Sequence, residues 1–536
     1  MDRLEAWFPS VGVGEGSLVV VSLLDTPAFL VVVLALRRLN ASAVLVDPRS
    51  SARRLELVVA TTRSEVHVAH AFNHGPFVDL STQYPQRALL VVPVSSFVPR
   101  GSRLSFWLRR GRKVPRVVPG PRTFLWSKVT RPGARVEVGD GGPGAVQRPA
   151  VGPAGVALPT EGTTGVPKLA WFSWDQVDRA VETFASWTGL GPGDSLACSP
   201  PPSTAAGFVA RLAALHARAP LHQTPWVTPG EFSRLLVSRE PSTVVATPSM
   251  LRSLLGTRFA RRPLGFLRAA YSVRGPLIDS TRREFDAVLE RNGSTAKVRV
   301  LYGLTETLSA VAGTAGGPPP PRVHRREHHH VGGPLPGWKV LVGVPTTEGF
   351  VEAAPRTPGE VLVSGPTVAL GLLEPGPLLR PLDLVEVGGC AGGYLRTGDG
   401  GFVDPAGDLW LCGRLPRTVQ TPEGVLVALS ALERAIAADH RVEEAAALRL
   451  EGDRGVVAFV VPAPGTEASD RKWRKFVRAK LVEVTGGVLP SRLPLRVVTT
   501  PGALPRTQAG LVDYSALLLA VGVGVDRHGG GLERAR

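Results

Sequence analysis

Leu158-Pro-Thr-Glu-Gly-Thr-Thr-Gly-Val-Pro-Lys168 is the stretch on which the reading of this chain turns. It follows an apolar run and is crowded with hydroxyls and glycines. A loop of that composition can turn backbone N–H and side-chain O–H groups toward a phosphate, with a lysine at reach. Lys168 stands out because only eight of the 62 basic residues are lysines. The spacing is not the GxxxxGK[ST] of a P-loop. By itself the stretch reads either as a phosphate cradle or as a turn of small polar residues.

On its N-terminal side the first 70 residues alternate apolar runs of strand length with helical patterns: SLVVVSLL, PAFLVVVLALRRL, SAVLVD, ARRLELVVATT and EVHVA. That is βαβαβ, which implies a parallel sheet covered by helices. Ser17 to Leu36 is interrupted by Asp25 and Pro27, so it reads as a strand (18–23) and a helix (27–38) rather than a membrane span. Residues 98–155 are rich in arginine, glycine and proline and read as a surface excursion leading into the loop. On the C-terminal side, strand and helix alternation resumes over about 170–310. It includes an amphipathic helix near 174–187, apolar runs at 207–216 and 243–256, and VRVLYG at 298–303. The runs WKVLVGV, GEVLVSG and GFVDPAGDLWLCG then suggest a small β-rich subdomain, and from Arg414 the pattern suits a separate α+β domain.

The composition sets limits. With 536 residues, 43% hydrophobic and 20% charged, the chain is neither disordered nor a single core, so two or more domains are expected. The net charge of +17 raises the question of nucleic acid. The arginines are dispersed, however, and no zinc-finger, RRM or helix-turn-helix signature appears, which argues against a specific nucleic-acid role. Cys198, Cys390 and Cys412 are far apart without a CxxC pair, so neither a disulfide framework nor a zinc site is indicated. The N-terminal MDRLEAWFPS lacks a basic region followed by an apolar run, and a cytoplasmic, non-membrane protein is expected.

Two further motifs lie downstream. In Leu301-Tyr-Gly-Leu-Thr-Glu-Thr307 a tyrosine at a strand end can stack on a base and a glutamate can hold Mg²⁺ near phosphates. In Tyr394-Leu-Arg-Thr-Gly-Asp399, an aspartate at a tight turn can accept from ribose hydroxyls, and Gly413-Arg414 follows about fifteen residues later. Either is unremarkable alone. In this order and spacing the three resemble the adenylate-forming superfamily of acyl-CoA synthetases, luciferases and nonribosomal-peptide adenylation domains. TEGTTGVPK looks like the family's TSGTTGxPK, YGLTE like YGxTE, and YLRTGD with GR like its TGD and hinge motifs. TPSMLRSLL, AAYSVRGPL, GGPLPGWKV and GEVLVSGPTV match secondary patterns, and LPRTQAGLVDYSAL is similar to LPRTxxGKxxRxAL. The resemblance covers nearly the whole chain.

It implies an α/β fold with a large N-terminal core of helix-covered, mostly parallel sheets plus a β-rich subdomain over 1–412. A hinge at 413–418, a small mobile α+β lid at 419–524 and a tail at 525–536 would follow. The family activates a carboxylic acid with ATP and Mg²⁺ as an acyl-adenylate, then passes the acyl group to CoA, a carrier protein or an amine. Carried over by motif, Thr160, Gly162, Thr163, Thr164, Gly165 and Lys168 would hold the β- and γ-phosphates. Tyr302 and Gly303 would line the adenine, Thr305 the α-phosphate, Glu306 would hold Mg²⁺, and Asp399 and Arg414 the ribose. Thr305, Glu306 and Lys168 are the catalytic candidates; Thr204, Ser272, Arg274 and Gly275 are candidates for the acyl pocket.

Four positions depart from the family pattern. The lysine of the C-terminal motif is Leu511 here, and Glu161 stands where the family usually has serine. The hinge residue aligns with Pro416, which would restrict a swing. The loop that often supplies an acyl-pocket histidine or phenylalanine reads Pro200-Pro-Pro-Ser-Thr-Ala-Ala-Gly207, with Thr204 as the nearest equivalent. These departures keep a second reading open: a homologue that binds nucleotide but adenylates poorly, acting only as an acyltransferase or a partner subunit. Arg274 reads as a contact for an acidic substrate group or as a solvated side chain. His324, His328, His329 and His330 read as a metal cluster or as chance histidines in a proline-rich loop. The basic helix with Lys472, Lys475 and Lys480 reads as a solvated face or as a dock for a carrier protein or the CoA phosphates.

Overall fold

The computed structural model describes residues 1–98, 117, 122–131, 152–160, 168–315, 328–346, 349–375, 379–415, 418–420, 426–450, 455–466, 469–484, 494–500, 503–505, 512 and 517. The chain divides into two compact units. The first comprises Met1–Gly317, Gly333–Lys339 and Ser364–Leu384; the second comprises Pro318–Gly332, Val340–Val363 and Val385–Arg536.

The first unit is α/β and carries two sheets. One consists of β1 (Leu18–Ser22), β2 (Ser42–Leu45), β3 (Val66–His70), β4 (Ala88–Val92), β5 (Thr123–Leu125), β6 (Gly155–Pro159), β7 (Leu169–Ser173), β18 (Gly371–Leu373) and β19 (Leu379–Arg380), in the order β19-β18-β7-β6-β2-β1-β3-β4-β5. From β6 to β5 every pairing is parallel. Every residue of β1 to β4 is buried, which is why these strands read as unbroken apolar runs rather than alternating ones. Val20, Val44, Leu55, Val59, Phe77 and Trp171 belong to one core cluster between the sheet and its helices. The expected βαβαβ start is present. The expected surface excursion at 98–155 is corrected in part: β5 and the Trp126–Thr130 helix extend the sheet edge, because the short Phe-Leu run finds its hydrogen-bond partners on β4.

The other sheet of this unit takes β8 (Leu196–Cys198), β9 (Leu221–His222), β10 (Thr243–Ala246), β11 (Ala269–Ser272), β12 (Val298–Gly303) and β13 (Ala310–Gly313), with residues 333–334 of β14 (His329–Pro334) beyond β13. The run β12-β11-β10-β8-β9 is parallel. All four longer strands therefore end at the same carboxyl edge.

In the second unit, β15 (Lys339–Thr346), β16 (Gly349–Glu352), β17 (Gly359–Ser364), β20 (Leu384–Gly388) and β21 (Cys390–Val403) lie in the order β17-β15-β16-β20-β21. A β17–β21 pairing closes them into a ring, the β-rich subdomain that the strand pattern anticipates. β22 (Leu409–Arg414) pairs with β21 and with residues 329–332 of β14. The hairpin β23 (Thr418–Gln420) and β24 (Leu426–Ala428) precedes a three-stranded sheet of β25 (Val442–Leu450), β26 (Gly455–Pro462) and β27 (Leu495–Thr499). Helices Leu429–Ala437 and Asp470–Val484 cover it through Leu432, Ile436, Trp473, Val477 and Leu481. Among the described residues no helix is long and apolar enough to cross a membrane.

Candidate functional site

In open α/β sheets, ligands bind outside the carboxyl ends of parallel strands. In the first unit that edge gathers the loops after β8, β10, β11 and β12, which carry residues 199–204, 247, 272–275 and 303–307. The sequence candidates Thr204, Ser272, Arg274, Gly275, Gly303, Thr305 and Glu306 all belong to these segments.

Thr160 and Lys168 form the stem of the hairpin between β6 and β7. The strands pair from Gly155↔Ser173 to Pro159↔Leu169, and Thr160 N–H then donates to the Lys168 carbonyl at 2.8 Å. Thr160 is buried. β18 runs antiparallel to β7 on its other side, with Leu373 opposite Leu169, so Glu374 and Lys168 come next in register. Lys168 Nζ lies 3.0 Å from Glu374 Oε1, and Arg380 NH2 reaches the same oxygen at 3.0 Å. Burial works against the Glu374 charge, but the hydrogen bonds and charges of Lys168 and Arg380 hold its carboxyl below the ordinary range. Glu374 has no place in any of the motifs, and nothing local in the sequence marks it; only strand pairing does.

The Tyr302-Gly-Leu-Thr-Glu-Thr307 segment leaves β12 through a register shift against β13 at Tyr302/Gly303. Tyr302 is buried, whereas Gly303 is exposed. Gly303 must remain glycine because a Cβ there would stand 2.4 Å from the Ser309 carbonyl oxygen. A 3-10 turn follows over Thr305–Thr307. Thr307 Oγ1 accepts from Leu304 N–H at 3.0 Å and closes it. The turn is tied to the segment that leads into β18: Thr367 Oγ1 donates to the Thr307 carbonyl at 2.7 Å, and Ala369 N–H to the Glu306 carbonyl at 2.9 Å. Residues 367–374 thus join the turn bearing Thr305 and Glu306 to the strand bearing Lys168. Both half-exposed side chains, Thr305 and Glu306, stand on a backbone fixed by these bonds.

At the acyl-pocket candidates the structure separates roles. Thr204 is the N-cap of the Ala205–His216 helix: its Oγ1 accepts from Gly207 N–H at 3.3 Å and donates to the Pro201 carbonyl at 2.7 Å. Ser272, at the end of β11, is fully buried and its Oγ has no hydrogen-bond partner among the described residues. An unpaired buried hydroxyl is costly. Arg274 is exposed and left-handed at φ 68°. Burial works against the Asp47 charge, but the hydrogen bonds and charge of Arg49, and last the charge of Arg274, hold its carboxyl low. Gly275 is exposed.

Behind the 199–204 loop lies a network that motif reading missed. Arg211, fully buried, donates to Asp25 Oδ1 at 2.8 Å, to the Gly207 carbonyl at 2.7 Å and to the Cys198 carbonyl at 3.2 Å. Burial works against the Arg211 charge, but Asp25 and Cys198 more than offset it. The same burial pushes the Cys198 thiol up to about 11, so it is not a nucleophile at neutral pH. The signals were present: Asp25 interrupts an apolar run, and Arg211 is the one cation in the apolar Ala205–His216 helix.

In the second unit, Asp399 and Arg414 face one another across β21 and β22, and Arg414 Nε lies 3.1 Å from Asp399 Oδ1. Asp399 sits in a strand rather than the expected tight turn; Gly398, at φ 69°, supplies the local bend. Thr397 Oγ1 accepts from Asp399 N–H at 3.0 Å, and Arg414 NH1 donates to the Thr397 carbonyl at 2.8 Å.

Glu161, Gly162, Thr163, Thr164, Gly165, His324, Pro416 and Leu511 lie outside the described residues. The described histidines serve a strand: His330 Nε2 lies 2.8 Å from Asp408 and packs against Trp410, and His328 packs against Phe402. Among the described residues, no group of three or more His, Cys, Asp or Glu side chains is placed to hold a metal.

Among curated relatives, the chain is 28% identical over 366 residues to the probable non-canonical nonribosomal peptide synthetase CymA of Salinispora arenicola, covering 67% of this chain but 4% of that protein. It is 25% identical over 442 residues to the olefin beta-lactone synthetase of Xanthomonas campestris, covering 79% of this chain and 72% of that one. Among solved structures, ATP-bound MatB from Rhodopseudomonas palustris superimposes with a TM-score of 0.65 at 21% identity, over 97% of this chain and 91% of that one. The amide bond synthetase McbA from Marinactinospora thermotolerans does so with a TM-score of 0.66 at 19% identity, over 97% and 92%. These likenesses show a shared fold. The match to the family described as AMP-binding enzyme runs over residues 1–373, through both the 158–168 hairpin and the Tyr302–Thr307 turn, and the chain belongs to that family.

Proposed function

We propose that this protein activates a small carboxylic acid with ATP as an acyl-adenylate and transfers the acyl group to a thiol or amine acceptor: CoA, a carrier protein or a small amine. The observation that carries this reading is the joining of Lys168, on one sheet of the first unit, to Thr305 and Glu306, at the carboxyl edge of its other sheet, through residues 367–374. Phosphoryl and adenylyl chemistry demands fixed cations and donors around oxyanions rather than a strong nucleophile. Lys168 supplies a cation on a strand end. Glu306 supplies a carboxylate suited to Mg²⁺, held on a turn whose backbone is already hydrogen-bonded. Gly303 lets the chain pass close against the Ser309 and Ala310 backbone and so sets the path of the turn that bears Thr305 and Glu306. The unpaired Ser272 hydroxyl at the neighbouring strand end suits a polar group of the acid. Asp399 and Arg414 would meet the ribose, 413–418 would be the hinge between core and lid, and Thr160 with the 162–165 loop would meet the β- and γ-phosphates.

The degenerate alternative is not favoured, because the family match spans the core that binds nucleotide and acid. The test is ATP–pyrophosphate exchange over a panel of aryl and short alkyl carboxylic acids, alongside calorimetry with Mg-ATP. Exchange with at least one acid is expected. Asp399→Ala should weaken Mg-ATP binding by about 1.5–3 kcal/mol, the scale of a hydrogen bond to a charged group. A folded protein that binds neither ATP nor AMP would overturn the reading.

A further inference from the structure

Both sheets of the first unit share one parallel order. It runs β2-β1-β3-β4-β5 in the first and β9-β8-β10-β11-β12 in the second. In each, the chain leaves its opening strand for a neighbour on one side and then crosses to the other side. Such a crossing opens a crevice at the carboxyl ends of the two strands that it separates, the usual place for a ligand in an open α/β sheet. In the second sheet the crevice lies between β8 and β10, within the candidate site described above. In the first sheet it lies between β1 and β3, and the activity proposed above makes no use of it.

The residues at that second crevice are polar and buried. Ser22 ends β1, His70 ends β3, and Asn73 follows in the loop. Asn73 N–H donates to the His70 carbonyl at 3.1 Å, so the two residues close one tight turn, their Cα atoms within roughly 7 Å. Asn73 Nδ2 reaches across from the β3 side and donates to Ser22 Oγ at 2.8 Å. His70 Nδ1 donates to the Val92 carbonyl on β4 at 2.6 Å, which leaves Nε2, turned away from that carbonyl, as a bare acceptor. Burial pushes the imidazole down to about 4, so the ring is neutral. His70 Nε2 and Asn73 Oδ1 are both buried without a hydrogen-bond partner among the described residues. Each unmet acceptor works against folding, and two of them at one turn mark a place that suits a donor.

We infer that the β1/β3 crevice is a second binding site of this protein, for a small molecule that presents an uncharged planar –NH2 group, as a primary carboxamide or an arylamine does. The two hydrogens of such a group can serve His70 Nε2 and Asn73 Oδ1 together. A carboxylate, a phosphate or a ketone brings only acceptors and leaves both atoms unmet. An ammonium ion would be buried without a counter-charge, because the carboxylates at the neighbouring strand ends are committed, Asp25 to Arg211 and Asp47 to Arg49. The rim of the crevice is half-exposed at Phe72, His74 and Pro76. Phe72 lies at 17° to the His70 ring with 6.0 Å between centroids, and gives an aromatic body a face to stack on. The inference does not depend on acid activation.

The experiment uses the full chain, with saturation-transfer NMR and calorimetry as readouts. The probes are benzamide and aniline, and the controls are N,N-dimethylbenzamide and N,N-dimethylaniline, which lack N–H donors. At least one probe should bind with a Kd of about 1 mM or tighter, and its methylated form at least about fivefold more weakly. Binding of benzamide alone would name a carboxamide and of aniline alone an arylamine; either supports the site. His70→Asn keeps a donor for the Val92 carbonyl and removes Nε2, and Asn73→Leu removes Oδ1. Each should weaken the bound probe at least about fivefold. Ser272→Ala, at the end of a strand in the other sheet, should leave it unchanged. Thermal unfolding checks that each variant folds; Ser22→Ala, which releases the Asn73 amide, replaces either one that does not. Failure of both probes to bind, or equal binding of the methylated forms, would leave a water molecule as the donor to these two atoms and overturn the inference. So would binding that is lost in Ser272→Ala but kept in His70→Asn and Asn73→Leu.

Discussion

Arg211 and Asp25, 186 residues apart in sequence, meet at 2.8 Å with neither side chain reaching solvent. The pair joins the end of β1 to the helix after β8. The same guanidinium holds the Gly207 and Cys198 carbonyls, and so fixes both ends of the loop that carries Thr204. Removing one partner strands a buried charge, so Asp25→Leu or Arg211→Met should each cost about 3–5 kcal/mol in urea unfolding. The double variant should cost clearly less than the sum. Additive losses would show that the two residues stabilise the fold independently.

Acid should unfold the protein early. Burial pushes His67 and His70 down to about 4, from 6.5 when exposed. Between those values the unfolded chain binds protons that the folded one refuses. Stability is therefore retained above pH 6.5 and falls as pH drops toward 4, by up to roughly 3 kcal/mol for each histidine. Unfolding midpoints from pH 7 to 4 measure this, and His67→Gln should flatten the slope.

Gly303→Ala places a methyl 2.4 Å from a backbone oxygen that belongs to the turn, not to a flexible side chain. An overpacking cost of about 1–3 kcal/mol is expected in thermal unfolding. Because the displaced backbone leads directly to Thr305 and Glu306, Mg-ATP affinity should fall with it in calorimetry.

Lys168 and Glu374 should separate stability from binding. Their ion pair is only about two-thirds covered, so Glu374→Gln should change stability by less than about 1 kcal/mol. Lys168→Ala should leave stability similarly unmoved yet weaken Mg-ATP binding by about 1.5–3 kcal/mol. A large loss of stability in either variant would give the pair a structural role instead.

Leu511 offers neither charge nor donor where the family motif has lysine. In adenylation a carboxylate approaches an anionic phosphate, and a cation there offsets repulsion that grows toward the transition state. Leu511→Lys should therefore raise the pyrophosphate-exchange rate, by up to about 10²–10³-fold if the cation acts fully. An unimproved rate would mean that another cation already serves the step.

Periodicity and motif order determined a good deal. The strand at 298–303 and the helices at 27–38 and 470–484 have the bounds that their apolar patterns predict. These signals are local: a buried strand needs an unbroken apolar run, and an amphipathic helix needs a 3.6-residue period. The position of Tyr302 at a strand end and the family itself were legible for the same reason, since each is encoded in consecutive residues; the pairing of β6 with β7 that brings Thr160 to Lys168 was not. Three things were decided only in three dimensions. Glu374 meets Lys168 because β18 returns to pair with β7 some 200 residues later. Thr204 spends its hydroxyl on capping a helix, which a motif position does not reveal. Asp25, a mere interruption in an apolar run, becomes the counter-ion of Arg211 because burial leaves an unpaired charge no water to turn to. Sequence patterns specify which face of an element is buried; which charge meets which is set by the pairing of elements far apart in the chain.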